Sequence, residues 1–177
     1  MFSSFFLVAV RAVLLVPYIT RAIHRVRTVR RLKKICALKK YRLKVSNPFS
    51  SYFRNFSDKY DLTVNTGKTV YAVKFFDEYY QNSTFVFCED RRVIRAESSS
   101  EIFDQTKRRR ADREIGVFPE LSCDCAGKRE VRLFLLDADS IEVLLEENGK
   151  AKRLKEGDML YGMRLTSHAA FLKVIGR

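Results

Sequence analysis

No Asp or Glu occurs before Asp58. Residues 1–57 carry 13 Lys/Arg and no acid, whereas the remaining 120 residues hold 21 of each sign, so the whole formal charge of +13 sits in the first third. Other scarcities narrow the reading further. Seven Gly and three Pro are too few for a long linker or a low-complexity chain. The glycines are dispersed, so neither G-x-G-x-x-G nor a Walker A loop is available to cradle phosphates. There are two histidines, His24 in the basic region and His168 near the end. Neither stands at a recognisable spacing from Asp or Cys, which leaves little material for a nucleophilic triad. Tryptophan is absent, although 14 Phe and 8 Tyr supply aromatic mass for one core.

Cysteine is equally sparse. Cys36, Cys88, Cys123 and Cys125 are scattered, and Cys123-Asp124-Cys125 is too tight for an ordinary structural bridge. Free thiols in a reducing cytosol are the simpler account. Cys88, Cys123, Cys125 and His168 are the available metal donors. Cys-x-Cys is not the usual zinc knuckle, however, and no second pair exists. The expectation is no metal and no cofactor.

What is present begins with FSSFFLVAVRAVLLVPYIT, residues 2–20. Nineteen helical residues span roughly 28 Å, just enough for a bilayer core. Eleven Phe, Leu, Val and Ile favour insertion by about 3–7 kcal/mol together, against about 2.5–3.5 for Arg11. The segment is therefore expected to span a membrane as a transmembrane helix or to lie in its interface. A secretory signal fits poorly because the charge follows the apolar run. A mitochondrial presequence shares the Arg-rich, acid-poor character but is seldom so apolar.

Residues 21–46 read as a basic amphipathic helix. Its cations are Arg21, Arg25, Arg27, Arg30, Arg31, Lys33, Lys34, Lys39, Lys40, Arg42 and Lys44, and Ile23, Val26, Val29, Leu32 and Ile35 recur near helical spacing. The apolar stripe would meet lipid or the domain, and the cations would meet phosphates. The partners this calls for are an anionic lipid membrane and an unknown protein on the domain's exposed face, with nucleic acid as the rival polyanion. If the first segment spans, the positive side places the domain in the cytoplasm. Asn47-Pro48-Phe49-Ser50-Ser51 marks a boundary, and the domain is expected over 58–177. Two sequons, at Asn55 and Asn82, are taken as chance.

After Asp58 the pattern is that of a strand-dominated α+β fold with one or two short helices. Hairpins are predicted from Asp61–Val64 with Thr69–Phe76, from Thr84–Cys88 with Arg91–Arg95, and across Asn148-Gly149 into Ala151–Leu154. Ser98 with Glu101 opens a polar helix to about Glu114. Val131–Leu136, Ile141–Leu145 and Met159–Leu165 read as strands, and Ala170–Ile175 as a strand or short helix.

Asp61 on one strand of the first hairpin and Ala72-Val73-Lys74 on the next resemble the PD-(D/E)xK nuclease superfamily. That resemblance implies a divalent metal held by Asp61 and a second acid, with Lys74 activating water. Here Ala72 stands at the second acidic position and Tyr60 where Pro would be, so Asp77 or Glu78 would have to substitute. At the other end, Asn148-Gly149, Glu156-Gly157-Asp158, Tyr161-Gly162 and Phe171-Leu172 are similar to the tails of small membrane-associated proteins of anaerobic Firmicutes. That similarity implies an origin but no activity. Together these readings favour a non-catalytic protein tethering a small α+β domain to an anionic membrane, with the nuclease or a nucleic-acid-binding module as alternatives.

Overall fold

The computed structural model describes residues 25–46, 58–76, 83–96, 113–123, 125, 127–136 and 141–177. They form a mixed α+β fold of eleven strands and two helices. The first helix, α1, runs through 25–39. Val29, Leu32, Ile35 and Cys36 recur every three or four residues and turn one face to the domain, with Leu32 and Cys36 buried. Lys40 stops it with a left-handed φ of 57°, and the Tyr41 amide reaches back to the Cys36 carbonyl at 2.9 Å.

One sheet runs in the order β1 (Arg42–Val45), β2 (Leu62–Asn65), β3 (Thr69–Phe76), β7 (Arg129–Leu136), β11 (Met163–Ser167) and β10 (Met159–Leu160). The other has β6 (Arg113–Val117), β5 (Arg92–Ala96), β4 (Ser83–Cys88), β8 (Ile141–Glu147) and β9 (Lys150–Leu154). The strand β3 lies parallel to β7 in the first sheet, and their successors β4 and β8 are parallel in the second. The two central pairs therefore pass together from one sheet to the other.

Two apolar cores result. Between the sheets, Ala72, Phe76 and Phe134 meet Phe85, Phe87 and Val143. Phe76 stands edge-on to Phe85 at 4.9 Å, a favoured arrangement for aromatic quadrupoles. On the other face of the first sheet, Val73, Phe75, Leu133 and Leu135 are covered by Leu32 and Cys36 of α1 and by Phe171 and Ile175 of α2 (His168–Gly176). Ser167 caps α2, its hydroxyl accepting the Ala170 amide.

The three predicted hairpins form as read. Asn148-Gly149 supplies the two positive φ values, 52° and 71°, that a tight β8–β9 turn needs. Other expectations change. Among the described residues no helix is long and apolar enough to cross a membrane, so the transmembrane helix is withdrawn; residues 2–20, on which it rested, lie outside them. The basic helix ends at residue 39, and 42–45 become β1 because Leu43 and Val45 pack into the helix-covered core while the edge pairs with β2. The folded unit therefore starts well before residue 58. Arg113 and Glu114, expected to end a helix, belong to β6, and residues 98–112 of that helix are outside the described set. Met159–Leu165 divides into β10 and β11 because Tyr161 and Gly162 both take positive φ. Ala170–Ile175 is helical.

Candidate functional site

The cationic face is built by geometry rather than composition alone. With the apolar stripe of α1 buried on the sheet, Arg27, Arg30, Arg31, Lys33 and Lys34 project outward, and Lys40, Arg42 and Lys44 continue the exposed set onto the edge strand. Lys39 is half-buried. Leu38, 85% exposed, sits among these cations one and two turns beyond Lys34 and Arg31. Arg21 lies outside the described residues.

Arg25 departs from this set. It is buried and ion-paired to Asp61, the residue just before β2. Asp61 takes the Phe75 amide on Oδ2 at 2.8 Å, and the Lys74 ammonium stands 3.8 Å from the same oxygen. Lys74 also donates to the Lys59 carbonyl at 2.9 Å. The Phe75 ring has the Arg25 guanidinium over it at 4.8 Å and the His168 imidazole stacked at 5.4 Å. Thr28 Oγ1 and His168 Nδ1 are 3.0 Å apart. Arg25, Thr28, Asp61 and Lys74 are thus buried polar residues gathered at one place, where both helices meet the first sheet. Burial pushes the Lys74 ammonium below its ordinary value, and the Asp61 carboxylate pulls it back up.

The nuclease resemblance is tested on this cluster. Asp61 and Lys74 do approach, as it implies. The carboxylate, however, is committed to a guanidinium and a backbone amide, and among the described residues no set of three potential ligands forms around it. Asp77 and Glu78 lie outside the described residues. What the cluster does chemically is fasten α1: it satisfies a buried carboxylate with partners from the helix and from β3.

The four available donors named from the sequence, for which no metal was expected, also part company. Cys88 sits on the outer face of the second sheet, its thiol 3.5 Å from Glu146, and His168 belongs to the cluster just described. Cys123 and Cys125 instead join Glu130 at the start of β7, with one donor atom from each residue within 4.8 Å of the others. Glu130 is held by Arg132 through contacts of 2.8 and 3.1 Å. Phe118 and Leu121, buried between the sheets, anchor the approach to the cysteines, and the Lys128 amide closes a turn on the Cys125 carbonyl at 2.9 Å. Beside them the Tyr60 hydroxyl is buried and has no hydrogen-bond partner among the described residues. Burial, against the opposing pull of Arg132 and with smaller contributions from Glu130, Cys123 and Cys125, pushes the Tyr60 phenol up to about 12. It also holds the Cys123 thiol well above its usual value, and a neutral thiol is a poor nucleophile.

Glu130 and Arg132 are neighbours on β7, but Tyr60 reaches them only through the fold, because the β2 strand that follows it pairs with β3 and β3 pairs with β7, and sequence reasoning has no view of that path. The Cys-x-Cys spacing itself is the one visible signal. No protein family, curated protein or solved structure matches the chain.

Proposed function

We propose that the protein is a non-catalytic, peripheral anionic-surface binder, and that the α1–β1 face rests on lipid head groups. The observation that carries this is the orientation of α1. Its apolar stripe is buried on the sheet and Arg25 is locked to Asp61, so eight cations are displayed to solvent on a rigid support. Each Lys or Arg near an anionic membrane contributes about 1 kcal/mol, falling off within a Debye length of about 8 Å at physiological salt. Lipid is favoured over nucleic acid by the exposed Leu38 among the cations, and by the apolar run 2–20 that leads directly into them. The half-buried Tyr41 beside this face packs into the core, so it offers no free ring for base stacking.

Flotation of the full-length protein with vesicles of phosphatidylcholine, with and without phosphatidylserine, tests this. Binding should require phosphatidylserine and weaken with salt. Reversing Arg27, Arg30, Arg31 and Lys34 to Glu removes about 4 kcal/mol or more, a loss of roughly a thousandfold, with little effect on folding because all four are exposed. Equal partition onto neutral vesicles would sink the reading. Preferential capture by an RNA oligonucleotide over vesicles at the same salt would move it to nucleic acid.

A further inference from the structure

We infer that Cys123, Cys125 and Glu130 form a binding site for a borderline-soft divalent cation of the zinc type, with a water in the fourth position facing the Tyr60 hydroxyl. This is independent of the cationic face. Two thiolates and a carboxylate are a donor set that such an ion accepts, and three protein ligands with one open position is a common arrangement. The donor atoms already lie within 4.8 Å of one another. A tetrahedral zinc shell places them about 3.5–3.8 Å apart, so closure needs about 1 Å of side-chain movement. Residues 123, 125 and 130 fall within one short stretch, and the buried Phe118 and Leu121 fix its beginning.

Two further features fit an ion. A carboxylate has lone pairs for more than one partner, so Glu130 can ligate while Arg132 keeps hold of it, as residues behind metal ligands commonly do. The three ligand charges are then cancelled by a divalent ion and Arg132 together. Second, the Tyr60 residue is 5% exposed and its hydroxyl meets no partner among the described residues. A buried hydroxyl without a hydrogen bond costs about 1–3 kcal/mol. An ion-bound water, a strong acceptor once deprotonated and a donor otherwise, supplies what that hydroxyl lacks.

Titration of the reduced full-length protein with Co²⁺ tests the site. A thiolate-to-cobalt absorption band in the near ultraviolet should saturate at one equivalent per chain and be displaced by Zn²⁺. Cys123→Ser and Cys125→Ser should each abolish it, while Cys36→Ser and Cys88→Ser should keep it. Arg132→Gln should weaken binding roughly 10–100-fold. Absence of the band in the native protein, its survival in the double Cys123/Cys125 serine variant, or unchanged affinity in Glu130→Gln overturns the assignment. A second measurement needs no variant: Zn²⁺ should shield Cys123 and Cys125 of the native chain from alkylation, read by mass spectrometry. Equal labelling with and without Zn²⁺ overturns the proposal as well.

Discussion

Tyr60 and Asp61 are neighbours in the chain and both are buried, yet one enters the core between the sheets and the other meets the first helix. Asp61 is surrounded: a guanidinium, an amide and an ammonium all address its carboxylate. Tyr60 is stranded, its hydroxyl buried beside two thiols and a carboxylate without bonding any of them. The contrast separates two uses of buried polarity. A saturated cluster holds elements together, and Asp61 accordingly ties α1 to the sheet. An unsaturated one destabilises the fold unless something else completes it, and the donors around Tyr60 are of the kind an ion completes.

The comparison breaks most visibly at Asp61. Asp61→Ala leaves Arg25 and Lys74 buried without their carboxylate and should lower stability by about 3–5 kcal/mol in urea unfolding. Adding Arg25→Met to it should cost less than the sum of the two single changes, because they share one interaction. A loss below about 1 kcal/mol for Asp61→Ala would mean that the cluster does not hold the helix. At the neighbouring position the sign reverses. Tyr60→Phe removes an unmet hydroxyl and should stabilise the metal-free protein by about 1–3 kcal/mol. Destabilisation by that change would show that the hydroxyl has a partner.

The smallest effect concerns pH. Lys74 has its affinity for a proton lowered by burial in the folded protein, from an ordinary value of 10.5. In the window below 10.5 the unfolded chain therefore binds more protons than the folded one, and the contribution of Lys74 to stability rises with pH there. Lys74→Met should flatten that rise in urea midpoints taken from neutral to alkaline pH. An unaltered slope would place the Lys74 ammonium in a better-solvated setting than its 3% exposure allows.

Much of the strand layout was legible because it is local. Asn65 through Thr69, Glu89-Asp90 and Asn148-Gly149 carry turn chemistry, and the alternating residues beside them set which face turns inward. The end of α1 was not legible: Arg42 to Val45 continues the basic pattern without a break, and only pairing with β2 converts it to a strand. Lys40 in a left-handed conformation is a non-glycine stop that no residue type announces. The same holds for Tyr161, which splits one expected strand in two.

The candidate sites divide along the same line. The cations from Arg27 to Lys44 could be named from the chain, but Arg25, chemically identical to its neighbours, proved to be a core residue. Helical phase put it on the inner face, and a carboxylate thirty-six positions away was waiting there.

The order of residues alone established the charge asymmetry, the hairpins and the predominance of strands, since each depends on composition or on residues a few positions apart. Only the tertiary structure decided that α1 lies on the sheet, that Asp61 is neutralised by Arg25, and that Tyr60 faces Cys123, Cys125 and Glu130. Those outcomes rest on which distant segments share a low-dielectric interior, where an unpaired polar group is costly and a paired one is tolerated, and adjacency in the chain carries no record of that pairing.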